Sequence, residues 1–410
     1  MVSGIPKEVM PGETRVAAIP ETAAKLIKLG FEVHIEKEAG AGALYSDAAY
    51  RDAGATIALD AQAVYAAADV VLKVKEPMKD GNGLHEIDLM REGAVLITFL
   101  HPAAPGNHAM VKKLAARNIT AFTMDGIPRI SRAQRMDALT SMSTLTGYKS
   151  VLIAASHMPV VLPMLGTAIG TIKPAHFLVI GAGVVGLQAI ACAKRLGATV
   201  SALDTRESAR AAAKSLGAKV IGLEVPSEMA EAADGYALAL SQEWLQKEQE
   251  LILSVAGQVN AVICSALIPG EVAPRLINLE IVSKMQPGSV IIDVAIDQGG
   301  NCVLTPPGEW ISINDVSICG VKNIPGSVPK DASWLYANNV CHFVEHISQK
   351  GTIRFDLDDE VVRSSIVAHA GKILHHGTLK AIREAGSPDP NETAPKAAGG
   401  VRLNALEPAQ

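Results

Sequence analysis

The fold is decided by residues 178–206, LVIGAGVVGLQAIACAKRLGATVSALDTR. An apolar run that ends at Ile180 predicts a buried strand, and apolar residues then recur at helical spacing from Val184 to Leu196. Between the two stands a G-x-G-x-x-G pattern, at Gly181, Gly183 and Gly186. A second short strand ends at Asp204. Strand, glycines, helix, strand and acidic residue in this order predict a dinucleotide-binding βαβ unit.

Each part of this motif has a physical task. Gly181 permits a tight turn, Gly183 lets the backbone approach a pyrophosphate, and Gly186 lets the helix pack against the strand. The helix N-terminus offers free N–H groups and the positive end of its dipole to the phosphates. Asp204 stands where a carboxylate can accept both ribose hydroxyls.

Asp204 also bears on which cofactor binds. A carboxylate at this position repels the extra phosphate of NADP, so it favours NAD(H). Arg206 weakens this inference because a nearby arginine can accept that phosphate. We interpret Arg206 as a solvated residue at the start of a helix, and we predict NAD(H).

The composition is typical of an α/β protein with large cores. The chain has 410 residues, 49% of them hydrophobic and 19% charged, with a formal net charge of −5. This length predicts two domains, and the lack of a basic bias argues against nucleic acid as a partner. The five cysteines have no CxxC or Cys/His spacing, which predicts reduced core residues of a cytosolic protein and no metal site.

No signal peptide is expected, because the N-terminus is charged and lacks an apolar segment. Residues 151–172 are long and apolar enough to be weighed as a membrane span, but Pro159 and Pro163 interrupt them. Two prolines would break a helix in the middle of the bilayer. We therefore predict that this segment is a buried connection between domains and that the chain is soluble.

Short strands alternate with helical patterns before residue 140, and a long helical stretch is predicted from Arg132 to His157. The alternation predicts an α/β fold of two doubly wound Rossmann-like domains, with parallel sheets and an interdomain cleft. The predicted domains are residues 1–140 plus 326–385, the NAD(H)-binding domain 141–325, and a disordered Pro/Gly/Ala-rich tail, 386–410.

A second candidate segment is PRISRAQRMDALTS, residues 128–141. Gln134, Asp137 and Thr140 follow at helical spacing, with Arg129 just before them. A guanidinium, an amide and a carboxylate that converge can hold a carboxamide and a ribose. An ordinary polar helix face with an intrahelical Arg–Asp pair would give the same pattern, and spacing alone favours that interpretation.

Up to about residue 376, the chain resembles the NAD(H)-binding alpha subunit of proton-translocating NAD(P) transhydrogenase, in the alanine dehydrogenase/transhydrogenase family. The motifs that carry the resemblance are IPKE near the start, RVAAIP at 15–20, PRISRAQ at 128–134, DGYA at 234–237, SALIPGEVAP at 265–274, GGNC at 299–302 and LYANN at 335–339.

The resemblance implies roles for individual residues. Contacts to the nicotinamide end are implied for Arg129, Gln134, Asp137 and Thr140, the last standing where the family usually has serine. Contacts to the pyrophosphate and adenosine end are implied for Val184, Asp204, Thr205 and Arg206. Closure over the nucleotide is implied for Gly235, Tyr236 and Leu267.

The activity implied is direct hydride transfer from NADH on this subunit to NADP+ on a partner subunit, coupled to proton movement by membrane subunits. Direct transfer needs two nicotinamides held close together with water excluded, and no protein acid or base. The implied partners are membrane-embedded and NADP(H)-binding subunits. The chain itself would be a cytoplasmic homodimer, peripheral at the membrane.

Three further motifs resemble the related alanine dehydrogenases: KVKEP at 73–77, FLH at 99–101 and AIDQGG at 295–300. This resemblance implies that Arg15 binds a substrate carboxylate and that Lys75 polarises a keto or imino group. It also implies that His101 is the acid and base and that Asp297 assists proton transfer. Each residue also has a plain structural interpretation, as a strand-end, turn or capping residue.

Two alternatives therefore stand beside the transhydrogenase hypothesis. The first is an NAD-dependent amino-acid dehydrogenase that reductively aminates a 2-oxo acid. The second is a non-catalytic NAD(H)-binding protein, which no sequence feature specifically favours. PRISRAQ and the segment 225–257 favour the transhydrogenase subunit.

Overall fold

The structure is a computed structural model, and it describes residues 1–232, 235, 237–268 and 272–385. The strands are β1 Val2–Ile5, β2 Glu32–Glu36, β3 Thr56–Ala58, β4 Val70–Leu72, β5 Val95–Thr98, β6 Thr120–Thr123, β7 Leu165–Thr167, β8 Gly170–Ile172, β9 His176–Ile180, β10 Thr199–Leu203, β11 Lys219–Val220, β12 Ala261–Cys264, β13 Val290–Asp293, β14 Trp310–Ile313, β15 Val316–Cys319, β16 Ser348–Gln349, β17 Thr352–Ile353, β18 Ile366–His369 and β19 Lys372–Ile373. The helices are α1 Pro20–Lys28, α2 Asp47–Asp52, α3 Ala61–Ala67, α4 Glu86–Leu89, α5 His108–Ala116, α6 Ala138–His157, α7 Val184–Arg195, α8 Glu207–Ser215, α9 Ser227–Ala230, α10 Gln242–Ala256, α11 Leu279–Lys284, α12 Pro329–His346, α13 Glu360–Ser365 and α14 His376–Glu384.

The chain forms two compact units. Unit 1 is Met1–Met142 with Gly326–Gln410, and unit 2 is Ser143–Pro325. The tail predicted to be disordered, 386–410, lies outside the described residues. Each unit contains one large, mostly parallel sheet, so the predicted α/β fold with two Rossmann-like sheets is confirmed.

The sheet of unit 1 has the strand order β19-β18-β6-β5-β4-β1-β2-β3. Strands β1 to β6 run parallel, and β18 and β19 add an antiparallel edge. The strands β4, β5 and β6 are buried along their whole length, as expected for parallel strands covered on both faces. Strand order reverses between β1 and β4, so a crevice is expected at the carboxyl ends of these two strands.

The sheet of unit 2 has the order β11-β10-β9-β12-β13-β15-β14, parallel except for β14. Alternate residues of β9 enter two apolar clusters, because successive strand side chains point to opposite faces. Phe177 and Val179 join one cluster, whereas Leu178 and Ile180 join the other. Strand order reverses between β9 and β12, which places the second expected crevice at the end of the glycine-rich strand.

The prediction that residues 151–172 are a buried connection is wrong. After α6 the segment becomes irregular and then forms the hairpin β7–β8, whose strands are exposed throughout. Ile169 at its tip is 100% exposed and Met164 is 66% exposed. Pro159 and Pro163 end the helix as expected, but the apolar residues beyond them find no core. Among the described residues, no helix is long and apolar enough to span a membrane.

The predicted continuous helix from Arg132 to His157 is also wrong. Ser131–Met136 is a 3-10 turn, Asp137 has non-helical backbone angles, and α6 begins at Ala138. The Asp137 carboxylate accepts hydrogen bonds from the backbone N–H of Thr140, at 2.8 Å, and from its hydroxyl, at 2.6 Å. An aspartate that satisfies the first free N–H groups of a helix stabilises a helix start at that position.

Candidate functional site

The three glycines of the dinucleotide motif differ in what surrounds them. Gly181 has φ +86°, and a Cβ there would lie 2.7 Å from the carbonyl of Ser265. A Cβ on Gly186 would overlap the carbonyl oxygen of Gly181. The space beside Gly183 is open, and the nearest atom to a Cβ there would be Nη2 of Arg206, 3.9 Å away. Gly183 therefore leaves room at the N-terminus of α7 for a phosphate, as the motif requires.

Asp204 is buried at the end of β10 and is held by its neighbours. Its Oδ2 accepts a hydrogen bond from the backbone N–H of Ala182, 2.7 Å away, which ties it to the glycine turn. Its two oxygens also accept hydrogen bonds from the Arg206 guanidinium, at 2.9 and 3.1 Å. A carboxylate has about four acceptor positions, so Asp204 can still accept from a ribose hydroxyl.

The interpretation of Arg206 as a solvated residue is wrong. Its side chain is only 14% exposed, and it is paired with Asp204. Burial lowers the pKa of Arg206, but the hydrogen bonds and charge of Asp204 outweigh this and raise it. Its Nη1 donates to the carbonyl of Gly235, 3.1 Å away. Arg206 thus links the ribose-side carboxylate to the DGYA segment, which spacing alone did not reveal.

Three residues that the sequence analysis missed also build this region. Arg210 donates to the carbonyls of Asp204 and Thr205, at 3.1 and 2.6 Å, and fixes the turn after β10. Asn301, in the GGNC motif, is fully buried and exchanges hydrogen bonds of 2.9 and 3.0 Å with the backbone of Ala266. That motif therefore positions the loop after β12. Neither contact has a local sequence signal, because both partners are distant in the chain.

Glu248 of α10 is the third missed residue. It is 4% exposed. Burial raises its pKa to about 8, with a further contribution from the charge of Asp204. Because a carboxyl group with this pKa is protonated at neutral pH, it can donate as well as accept a hydrogen bond. Its apolar helix neighbours hid it from sequence reasoning.

The remaining predicted contacts in unit 2 have different standing. Val184, Thr205, Gly235 and Leu267 are half-buried. Tyr236 lies outside the described residues.

In unit 1, the PRISRAQ segment exposes Arg129 and Gln134, whereas Asp137 and Thr140 are half-buried and bonded to each other. The alternative of an intrahelical Arg–Asp pair does not apply, because Asp137 precedes α6. The backbone carbonyl of Arg135 accepts a hydrogen bond of 2.8 Å from Asn339, in the LYANN motif. Two of the resemblance motifs therefore hold each other in place.

The carboxyl ends of β1 and β4 carry a network of buried charges. Lys73 is fully buried between Glu8 and Glu86, with N···O distances of 3.1 and 2.7 Å. Burial lowers the pKa of Lys73, but the two carboxylates outweigh this and raise it. Glu8 also accepts hydrogen bonds from the backbone N–H groups of Val74 and Lys75, at 2.6 and 3.3 Å. The lysine of KVKEP that is half-buried, Lys75, therefore follows a rigid strand end.

Arg15 is 3% exposed and is paired with Glu13. Its Nε and Nη2 donate to the two Glu13 oxygens, at 2.8 and 2.6 Å. Lys75 acts electrostatically on Glu13 and also on His101. Three of the four residues implied by the dehydrogenase resemblance therefore share one sheet edge. The fourth, Asp297, belongs to unit 2, where its side chain is 64% exposed and lies 3.6 Å from Lys322.

His101 follows β5 and has a partner that the sequence analysis missed. Its Nδ1 lies 3.3 Å from Oδ2 of Asp125, in the turn after β6. Burial raises the pKa of Asp125, but hydrogen bonds from His101 and Thr123 lower it to about 2. Burial lowers the pKa of His101, but Asp125 outweighs this and raises it above 6.5. The adjacent carboxyl ends of β5 and β6 bring the two groups together.

Comparison with known proteins places this geometry in a family. The profile described as alanine dehydrogenase/PNT, N-terminal domain, matches residues 4–146, and that of the C-terminal domain matches residues 150–376. The chain belongs to the alanine dehydrogenase/PNT family. The predicted resemblance is thereby confirmed, and with it a role within an oxidoreductase family.

Three relatives cover nearly the whole chain. The first of the polypeptides that make up the NAD(P) transhydrogenase subunit alpha of Rhodospirillum rubrum is 46% identical over 92% of this chain and 98% of its own length. The crystal structure of a transhydrogenase from Sinorhizobium meliloti has a TM-score of 0.78 at 37% identity, covering 92% of this chain and 99% of that one. An L-alanine dehydrogenase structure has a TM-score of 0.76 at 29% identity, covering 94% and 99%.

Proposed function

We propose that this chain is the NAD(H)-binding subunit of a proton-translocating NAD(P) transhydrogenase, from which hydride passes directly to NADP+ on a partner subunit. The observation that carries the proposal is the cradle at the N-terminus of α7. There Gly183 leaves space for a pyrophosphate while Asp204, tied to Ala182 and Arg206, flanks it. Its likeness to the Rhodospirillum rubrum subunit over 92% of the chain supports the same role.

The residues assigned to this function have separate tasks. Gly181, Gly183, Val184, Gly186, Asp204, Thr205 and Arg206 would hold the pyrophosphate and adenosine, with Gly235, Tyr236 and Leu267 closing over them. Arg129, Gln134, Asp137 and Thr140 would hold the nicotinamide end. Because hydride passes between two nicotinamides, positioning and exclusion of water are the whole task of the protein.

The test begins with NADH binding, followed by fluorescence, and proceeds to reconstitution with the complementary Rhodospirillum rubrum subunits. We expect NADH oxidation coupled to NADP+ reduction. Arg129→Ala or Gln134→Ala should abolish it, whereas His101→Ala should leave it nearly unchanged. Loss of exchange in His101→Ala would contradict this assignment of roles.

We also propose that the chain forms a homodimer that joins the membrane through its partner subunits. The exposed hairpin β7–β8 supports self-association, because apolar residues such as Ile169 gain by burial against a second copy. Light scattering should report a dimer, and Ile169→Asp should dissociate it. Leu59→Asp is the matched control, since Leu59 is 84% exposed in unit 1. A monomeric wild-type protein would refute the homodimer.

A second candidate function is that of an NAD-dependent amino-acid dehydrogenase. The observation in its favour is that Arg15, Lys75 and His101 lie at one sheet edge, with His101 paired to Asp125. Transhydrogenation has no use for such an acid–base pair. NADH oxidation by the chain alone, with pyruvate and ammonium, tests this candidate. Lys75→Ala or His101→Ala should remove the activity if it exists, and no turnover would refute it.

A further inference from the structure

The backbone at His101 is held in an uncommon conformation. His101 has φ +42°, in the left-handed region that residues with a Cβ rarely adopt. The segment is fixed by polar contacts from two sides. The backbone N–H of Leu100 donates to Oγ1 of Thr123 at 3.1 Å, and the side-chain amide of Asn107 donates to the Leu100 carbonyl at 3.0 Å. Strained backbone that is held in this way is concentrated at functional sites.

Asp125 is oriented toward the ring by bonds on its other oxygen. Its Oδ1 accepts hydrogen bonds from the hydroxyl of Thr123 and from the backbone N–H of Leu100. Its Oδ2 is left to face Nδ1 of His101, 3.3 Å away. The Phe99 ring stacks on the imidazole with an interplanar angle of 3° and fixes its plane. Both the direction and the plane of the pair are therefore set by neighbouring groups.

The two edges of the imidazole have different surroundings. Nδ1 faces the carboxylate, whereas no hydrogen bond or ion pair engages Nε2 from any residue that the structure describes. The His101 side chain is 46% exposed, so Nε2 can reach a bound molecule. The charges that act on the ring, besides Asp125, are those of Glu76 and Lys75, both in the segment after β4.

We propose that Asp125 is a positioning residue for His101: it holds the hydrogen on Nδ1 and leaves Nε2 to exchange a proton with a bound 2-oxo acid or amino acid. The proposal rests on the second candidate function. Reductive amination consumes a 2-oxo acid, ammonium, NADH and one proton, and yields an amino acid, NAD+ and water. Two electrons arrive with the hydride, and the oxygen leaves as water, so a proton donor is required. Hydride exchange between NADH and NADP+ consumes no proton.

The pair can be tested without any activity, by NMR titration of His101 in the full-length chain. The chain has 11 histidines, so the His101 signal is assigned by its loss in His101→Gln. In the wild-type protein we expect Nδ1 to carry the hydrogen in the neutral ring. In Asp125→Asn we expect the proton affinity of His101 to fall about tenfold or more and the preference for Nδ1 to be lost. Asp88→Asn, at an exposed pair with Lys113, is the matched control.

The amination rate is the second measurement. Because the protonated ring is the acid, the wild-type rate should fall as pH rises through the pKa of His101. In Asp125→Asn that fall should move to lower pH, and kcat should drop about 100-fold with KM for NADH unchanged. A purely structural role would not move the pH profile. If Asp125→Asn does not fold, Thr123→Val, which removes the hydroxyl that orients Oδ1, should give smaller shifts of the same sign.

The outcomes separate the proposal from the function on which it rests. An unchanged tautomer and proton affinity in Asp125→Asn would overturn the positioning role, whatever the activity. A changed titration without amination by the wild-type chain would refute the second candidate function and the transfer to substrate. Both changes together would support the proposal.

Discussion

The carboxyl edges of the two sheets place their charges in different ways. In unit 2 the edge presents backbone groups around Gly183 and one ion pair, Asp204–Arg206, whose side chains are 5% and 14% exposed. In unit 1 the charges interlock and lie deeper, with Lys73 fully buried between two glutamates. An edge with free N–H groups binds an anion without proton transfer. An edge with coupled carboxylates, lysines and a histidine controls protonation.

The largest effect is expected where a buried charge loses its partner. Lys73→Met would leave Glu8 and Glu86 unpaired in the core, so the free energy of unfolding should fall by about 3–5 kcal/mol. Lys25→Met is the control, because its pair with Glu21 is exposed and should contribute less than about 1 kcal/mol. Scanning calorimetry of both variants measures this difference. Equal losses would show that burial does not distinguish the two pairs.

Glu248 gives an effect of intermediate size that depends on pH. Its pKa is about 8 in the folded chain, against 4.5 as the ordinary value. The folded state therefore binds a proton that the unfolded state releases between these values. The stability contributed by this group is complete below pH 4.5 and decreases until pH 8.

Glu248→Gln should remove that decrease, because the amide does not titrate. We expect the variant to be more stable than the wild type by a few kcal/mol above pH 8 and equal to it below pH 4.5. Urea unfolding at a series of pH values measures the difference. A pH-independent difference would mean that Glu248 does not take up the proton.

The smallest effect on folding, and a selective one on binding, is expected at Gly183. The space beside Gly183 is open, so Gly183→Ala should leave the free energy of unfolding within about 0.5 kcal/mol of the wild type. Its methyl group would occupy the pyrophosphate space and weaken NADH binding about tenfold or more, a cost of about 1.4 kcal/mol. Gly186→Ala should reduce both stability and binding, because its methyl group overlaps the backbone of Gly181. Calorimetric titration with NADH, beside urea unfolding, separates the two variants.

The regular parts of the fold followed from local patterns. The strands β1, β2 and β10 and the helices α2 and α3 have the predicted bounds, because apolar periodicity and nearby glycines act within a few residues. The break at Asp137 was missed because a capping carboxylate competes with helical spacing that is otherwise continuous. The exposure of β7–β8 was missed because apolar composition does not say whether a core is within reach.

Prediction of the candidate sites divides in the same way. Gly181, Gly183, Gly186 and Asp204 stand in one short motif, so their proximity is local. Arg210, Asn301 and Glu248 join them from elsewhere in unit 2, through contacts that no spacing encodes. Arg206 shows the limit most clearly. Its position two residues after Asp204 was plain, but whether it is solvated depends on the Gly235 segment that it reaches.

The sequence by itself determined the dinucleotide motif, the alternating α/β pattern and the family, because each depends on residues close in the chain or on many aligned motifs. The tertiary structure alone decided the partners of the charged groups. Lys73 meets Glu8 and Glu86, and His101 meets Asp125, only when neighbouring strands end at one edge. The physical reason is that a charge takes its pKa and its cost of burial from groups adjacent in space.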